Sequence, residues 1–146
     1  MNEERNSSLP IYALLWAAVI IIATCTSDPR TFLFEAKVSY HIEFAPNFYE
    51  LLITSDFNFN SKFYLVQKIG HFLSFGLLYV LLLTWIKRLG KAFVLCGLFA
   101  LLTEVLQLFF GRNGRLYDVG IDLLGILLAY LICSYIKLAT DARLAR

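Results

Sequence analysis

The sequence predicts an all-α polytopic membrane protein, a bundle of four transmembrane helices with an aromatic-rich extracytoplasmic loop. Two observations carry this prediction. Hydrophobic residues make up 59% of the 146-residue chain, and the mean hydropathy is +0.67, whereas soluble domains are roughly 45–50% apolar. The apolar residues also fall into stretches close to the roughly 20 residues that a helix needs to cross the hydrocarbon core. We therefore expect a single membrane domain over residues 1–146.

The predicted helices are separated by one long connection and two short ones. The first helix could be taken for the apolar region of a signal peptide. It follows the net acidic segment Glu3-Glu4-Arg5, however, where a signal peptide is basic, so we predict that this helix is retained. The four helices are predicted over residues 9–26, 68–86, 92–110 and 117–136.

The distribution of Lys and Arg predicts the orientation, because cations accumulate on the cytoplasmic side of a membrane protein. One group of cations lies in the short turn between the second and third helices, and another follows the fourth helix. Both ends of the chain are therefore expected to be cytoplasmic. The cations are Lys87, Arg88 and Lys91 in the turn and Lys137, Arg143 and Arg146 in the tail.

The long connection between the first two helices, residues 27–67, is rich in aromatic residues. Apolar and polar residues alternate from Val38 to Phe44, a period of two that predicts a short strand. Pro46 precedes a stretch, residues 47–54, that predicts a short helix. Because aromatic side chains favour the membrane interface, we expect this loop to cap the extracytoplasmic end of the bundle.

Eight polar residues interrupt the apolar sequence, and all fall toward the same end of the three later helices. Ionisable groups at membrane depth are costly and usually face a bundle interior, where they mark a site. Small residues lie below them on the same faces of the third and fourth helices, where they allow close helix packing. The polar residues are Lys68, His71, Glu104, Gln107, Arg112, Arg115, Asp118 and Asp122, and the packing residues are Gly97, Ala100, Gly125 and Ala129.

The order and spacing of these residues resemble the VanZ-like family, which is named after a membrane protein associated with teicoplanin resistance. The resemblance covers residues 68–130 and rests on Lys68-x-x-His71-Phe72, Glu104-x-x-Gln107, Gly111-Arg112, Asp118 and Gly125. The chain departs from the family at Asp122, where members often carry Asn, and at Phe110, where they often carry proline. The resemblance implies a multi-pass protein of the bacterial cell membrane, but it supplies no mechanism.

The leading functional hypothesis is binding of an anionic lipid, or of a lipid-linked cell-envelope precursor, at the outer leaflet. Arginine offers a planar set of donors that suits phosphate or carboxylate, and Arg112 and Arg115 lie next to the predicted pocket. The resemblance also implies an effect on sensitivity to teicoplanin and related glycopeptides. Membrane lipids are the expected partners, and a net charge of +2 gives no indication of a nucleic-acid partner.

Three alternatives remain open. His71 and the carboxylates could perform acid–base hydrolysis or transfer on a lipid phosphate, although no established catalytic motif is present and an enzyme is not favoured. Three cations and three carboxylates balance in the cluster, which is also typical of a structural network that specifies helix packing. A proton-coupled transporter using Glu104 is the third alternative.

We expect no cofactor and no metal ion. His71, Glu104, Asp118 and Asp122 are potential metal ligands, but the cluster has a single histidine and no motif with metal-ligand spacing. Cys25, Cys96 and Cys133 each lie in an apolar stretch and are expected to be free, buried thiols.

Overall fold

Five α-helices and one short 3-10 helix build the protein in a computed structural model that describes residues 9–144. The predicted all-helical class is confirmed, and residues 9–144 contain no β-strand. The acidic N-terminal segment and Arg146, which entered the predicted topology, lie outside the described residues. The helices are α1 (Leu9–Cys25), α2 (Pro29–Glu35), the 3-10 helix (Phe48–Leu52), α3 (Lys62–Ile86), α4 (Leu89–Phe109) and α5 (Leu116–Leu144).

Three helices, α3, α4 and α5, are long and apolar enough to cross a membrane. The shortest of them, α4, has 21 residues and is about 32 Å long, which matches a hydrocarbon core of about 30 Å. With 17 residues, α1 is about 26 Å long. The fourth span therefore stays a prediction.

Two predicted helix boundaries differ most from those in the structure, and the start of α4, at Leu89 rather than residue 92, differs less. Helix α3 begins at Lys62 rather than at residue 68, because the Ser61 hydroxyl accepts a hydrogen bond from the backbone N–H of Tyr64 and caps the helix earlier. Helix α5 continues to Leu144. The prediction followed the apolar stretch, which ends near residue 136, but the more polar residues after it are helical as well. Lys68 thus lies almost two turns inside α3.

Helices α3 and α5 approach each other most closely at glycines. A Cβ atom on Gly125 would overlap the backbone of Phe72, and one on Gly76 would lie 3.2 Å from the carbonyl oxygen of Gly125. Of the predicted packing residues, Ala100 is completely buried, Gly97 faces the side chain of Leu123, and Ala129 is packed against the core. Small residues therefore allow these backbones to pack at short range.

Helix α1 packs against α3 and α4. The indole N–H of Trp16 donates a hydrogen bond of 3.0 Å to the carbonyl oxygen of Ser74, which joins α1 to α3. The core between α3, α4 and α5 contains the fully buried Tyr79, whose hydroxyl donates to the carbonyl oxygen of Leu89.

The predicted strand from Val38 to Phe44 was wrong. The backbone is extended there, but it bonds to helix ends rather than to another strand: the N–H of Ser27 donates to Ser39, and the N–H of Glu43 donates to the carbonyl oxygen of Phe109. Alternation of apolar and polar residues fits any extended backbone, whereas a β-strand also needs a neighbouring strand to bond to. The short helix predicted after Pro46 is confirmed as the 3-10 helix.

Helix α2 was not predicted, although its signal is present in the sequence. The carboxylate of Asp28 accepts hydrogen bonds from the N–H groups of Arg30 and Thr31, and Pro29 occupies the first turn, a combination that favours a helix start. Some aromatic side chains of the long connection point away from the bundle, with Phe44 89% and Tyr49 80% exposed. Their contact with a membrane surface stays a prediction.

Candidate functional site

Lys68 and Asp118 form an ion pair between α3 and α5. The ammonium nitrogen lies 2.6 Å from each carboxylate oxygen of Asp118, and the side chains are 13% and 4% exposed, respectively. The rings of Tyr64 and Tyr117 flank the ammonium at 4.7 and 4.9 Å from their centroids. The charge of Lys68 is therefore neutralised and enclosed within the protein.

His71, Glu104 and Asp122, which we call the His71 cluster, lie where α3, α4 and α5 meet. The His71 Nδ1 atom is 3.2 Å from Oδ1 of Asp122 and 3.9 Å from Oε1 of Glu104. Both carboxylates are fully buried, and Oδ2 of Asp122 has no hydrogen-bond partner among the described residues. Within residues 9–144, these three residues form the group whose donor atoms could hold a metal ion.

The turn between α4 and α5 orients Glu104. Its Oε2 accepts a 2.9 Å hydrogen bond from the backbone N–H of Arg115, and its Oε1 accepts one of 3.1 Å from the side-chain amide of Gln107. The turn can fold this closely over α4 because Gly111 adopts a positive φ of 64° and a Cβ on Gly114 would overlap the carbonyl oxygen of Glu104. The position of Glu104 is thus set by two donors.

Arg115 joins the long connection to the bundle. Its Nε donates to Asp56 at 2.8 Å, and its Nη1 donates to the carbonyl oxygens of Glu50 and Gly114. The residue is buried, so the guanidinium is occupied by the protein itself. Burial raises the pKa of Asp56, but the hydrogen bond and charge of Arg115 outweigh it and hold that pKa below its usual value.

Arg112 differs from the other two cations of the cluster. Its Nη1 donates to the carbonyl oxygens of Ala23 and Thr24, at 2.8 and 3.1 Å, in the last turn of α1. These carbonyls lack partners within the helix. Burial lowers the pKa of Arg112, yet a guanidinium stays charged. Within residues 9–144, no carboxylate forms an ion pair with Arg112.

Two cavities meet at this end of the molecule. The polar cavity, of about 380 Å³, lies beside Lys68, Asn113, Tyr117 and Asp118. The apolar cavity, of about 310 Å³, lies between α1 and α3 and is bordered by residues that include Trp16, Phe32, Phe63, Val66 and Phe75. The two share the bordering residues Pro29, Gln67, Gln107 and Arg112.

The eight polar residues identified in the sequence thus lie in one connected region, through side-chain contacts or through the turn that carries the two arginines. Sequence reasoning missed the partners of those arginines. Asp56 was a visible signal, since it is an acidic residue in an aromatic segment. The carbonyl oxygens of Ala23 and Thr24 gave no signal, because any residue supplies a carbonyl.

Comparison with known proteins agrees with the motif. The chain matches the VanZ/LLP1 family over residues 9–138, which confirms the resemblance and extends it beyond residues 68–130. It is also similar to a Bacillus subtilis (strain 168) protein named "Uncharacterized membrane protein YwnJ", with 36% identity over 117 residues that cover 79% of this chain and 82% of that protein. No solved structure matches the chain.

Proposed function

The chain belongs to the VanZ/LLP1 family of membrane proteins, and we propose that it binds an anionic amphiphile at the outer leaflet. The ligand is a phospholipid or a lipid-linked precursor of the cell envelope. In this proposal, four helices cross a bacterial cell membrane with both termini cytoplasmic. The long connection and its exposed aromatic residues then lie at the outer membrane–water interface, next to the polar cavity.

The observation that carries this proposal is the shared border of the two cavities. An amphiphile needs a polar environment for its headgroup and an apolar one for its chain. The polar cavity and the apolar cavity meet at Gln67, Gln107 and Arg112. A ligand with its headgroup in the first cavity and the start of its acyl chain in the second would place its linkage beside these side chains.

Arg112 gives the proposed site its preference for anions. The charge of Lys68 is neutralised by Asp118 and that of Arg115 by Asp56, so these cations are engaged within the protein. Among residues 9–144, the Nη1 of Arg112 donates to two carbonyl groups and to no charged group. Its remaining donors suit a phosphate or carboxylate that borders both cavities.

The test is mass spectrometry of lipids that co-purify with the protein in native membrane discs. Arg112→Gln removes the charge but keeps a donor for the end of α1, and Arg112→Ala removes both. We expect both variants to retain several-fold less anionic lipid than wild type. Lys91→Gln, which removes an exposed cation at the other end of α4, is the matched control and should retain the wild-type amount.

Equal retention of anionic lipid by wild type and by a folded Arg112→Gln variant would contradict the proposal. Folding of each variant is checked by its thermal unfolding in the same discs. This check is needed because Arg112 also holds the end of α1.

An effect on glycopeptide sensitivity follows if the ligand is an envelope precursor. Cells that produce the wild-type protein should then differ from cells without it in their minimal inhibitory concentration of teicoplanin. Arg112→Gln should remove that difference. If cells with the wild-type protein, cells with the variant and cells without the protein all have the same inhibitory concentration, the ligand is not a precursor that these antibiotics recognise.

A second candidate function is acid–base chemistry on the bound lipid. His71 borders the apolar cavity and is oriented by its hydrogen bond with Asp122, which is the arrangement of a general base with an orienting carboxylate. Turnover of labelled lipid phosphates by purified protein, lost in His71→Ala, would favour an enzyme over a binding protein.

A further inference from the structure

We propose that His71, Glu104 and Asp122 bind one divalent transition-metal ion at the point where α3, α4 and α5 meet. The proposal does not depend on amphiphile binding. It departs from the expectation drawn from the sequence, where a single histidine and the lack of a spacing motif argued against a metal. Those criteria apply to ligands close in sequence, whereas each of these ligands comes from a different helix.

The donor atoms are close enough for one ion. Metal–nitrogen and metal–oxygen bonds of about 2.0–2.2 Å place two ligands of the same ion roughly 3–4 Å apart. The Nδ1 atom of His71 lies 3.2 Å from an oxygen of Asp122 and 3.9 Å from one of Glu104. All three donor atoms lie within 4.8 Å of one another, so small side-chain movements suffice to complete the coordination.

An unpartnered oxygen of Asp122 points independently to a missing ligand. Asp122 is fully buried, and its Oδ2 accepts no hydrogen bond from any group in residues 9–144. Buried polar atoms nearly always have a partner, and an orphaned one needs an explanation. A metal ion bound to the Asp122 carboxylate would supply that explanation.

The local charge balance also favours a divalent cation. Two buried carboxylates face one imidazole. Lys68 is bound to Asp118 and Arg115 to Asp56, and Arg112 donates to carbonyl oxygens at the end of α1 rather than to either carboxylate. A neutral histidine with two carboxylates and a divalent ion gives a net charge of zero. Such neutrality matters inside a membrane protein, where an uncompensated charge is costly.

The surrounding residues complete the features of a metal site. Gln107 and the backbone N–H of Arg115 hold the Glu104 carboxylate, and outer hydrogen bonds of this kind orient metal ligands. Three protein ligands leave at least one coordination position open. Of the three ligands, His71 borders the apolar cavity. One nitrogen and two oxygen ligands suit ions such as Zn²⁺ and Mn²⁺.

The experiment measures metal binding by the full-length protein in native discs. The protein is treated with a chelator, dialysed, and titrated with Zn²⁺ alone and then with Mn²⁺ alone, with calorimetry and elemental analysis as readouts. We expect one ion per chain for at least one of these metals. His71→Ala and Asp122→Asn should each weaken binding at least about tenfold, since the first removes the imidazole ligand and the second replaces a charged carboxylate with a neutral amide, which is a weaker ligand.

His41→Ala is the matched control. His41 is the other histidine of the chain and is exposed in the long connection, so its loss should leave both affinity and stoichiometry unchanged. Thermal unfolding gives a second readout. At the same metal concentration, the Tm of wild type and of His41→Ala should rise more than that of Asp122→Asn.

The absence of stoichiometric binding to wild type would overturn the proposal. So would equal binding by wild type and Asp122→Asn, or a loss of binding in His41→Ala, since either places the ion elsewhere. If one of these variants does not fold, Glu104→Gln replaces it as the test and should also weaken binding. The stoichiometry of the wild-type protein is measured in either case. Lipid retention in the same samples separates the two proposals: a wild type that retains anionic lipid but binds no metal would end this one alone.

Discussion

Two polar regions at the same end of the bundle are built from similar residues but are satisfied very differently. In the first, which we call the ion-paired layer, Lys68 is bound to Asp118 and Arg115 to Asp56. In the His71 cluster, two buried carboxylates share one imidazole, and an oxygen of Asp122 has no hydrogen-bond partner in the part of the chain that the structure describes. The ion-paired layer therefore stabilises the contacts between elements, whereas the His71 cluster is a candidate binding site.

This difference also bears on the structural alternative, in which the whole polar network only specifies packing. The ion-paired layer fits that alternative, since its cations are already engaged within the protein. The His71 cluster and Arg112 do not fit it. Among residues 9–144, one oxygen of Asp122 has no hydrogen-bond partner, and the guanidinium of Arg112 has no carboxylate partner. A functional account thus rests on these two features.

The largest expected effect comes from breaking the more buried pair of the ion-paired layer, Lys68 with Asp118. Lys68→Met leaves Asp118 buried without its cation, which should cost about 3–5 kcal/mol of unfolding free energy. The double variant Lys68→Met/Asp118→Leu removes both charges and should recover most of that loss. Chemical denaturation in detergent micelles measures both values.

The control for this pair is Lys62→Met, which removes an exposed lysine from the first turn of α3 and should change stability by less than about 0.5 kcal/mol. If Lys68→Met lowers the unfolding free energy no more than this control does, the ion pair does not stabilise the fold.

A smaller effect on stability is expected in the His71 cluster. In chelator-treated protein, Asp122→Asn should cost less than about 1 kcal/mol, since it keeps an oxygen for His71 and removes the charge of a carboxylate that is only partly satisfied. Differential scanning calorimetry measures this change. A loss as large as that of Lys68→Met would make the two regions equivalent and would remove the contrast between them.

The smallest effect concerns pH and the long connection. The pKa of Asp56 is held below its usual value. The pairing of Asp56 with Arg115 therefore stabilises the fold fully at pH values above the unfolded pKa of about 3.9. This stabilisation is lost as the pH falls through the folded pKa. The side chain of Asp56 is 36% exposed, so screening keeps the contribution below about 1 kcal/mol.

Limited proteolysis of the long connection between pH 5 and pH 3, with an acid-tolerant protease, checks this effect. Wild type should become more susceptible in the lower part of that range, whereas Asp56→Asn should be susceptible throughout. A wild type with constant susceptibility would show that the pair does not hold the connection.

The sequence predicted the helical class and the region where polar residues gather, because both follow from the cost of polar groups in an apolar environment. It did not predict which groups pair. The pairing of Lys68 with Asp118, and of His71 with Asp122, depends on how α3 and α5 rotate against each other, and the two helices approach closely at Gly125. Gly76, its counterpart on α3, was not recognised.

The long connection was the part least accessible to sequence reasoning. Its order depends on contacts with residues far away in the chain, such as the bond from Glu43 to Phe109 and that from Arg115 to Asp56. Local patterns carry no information on such partners. Short-range capping signals were more informative, and Asp28 and Ser61 would have given the starts of α2 and α3.

The central claim is that an amphiphile occupies the joined cavities, and a pair of glycines tests it most directly. A Cβ on Gly70 or on Gly120 meets no atom within 4 Å, and only Gly70 borders the apolar cavity. Native mass spectrometry should therefore show that Gly70→Leu loses the bound anionic lipid, while Gly120→Leu retains as much as wild type. Equal lipid occupancy in the two folded variants would contradict the account.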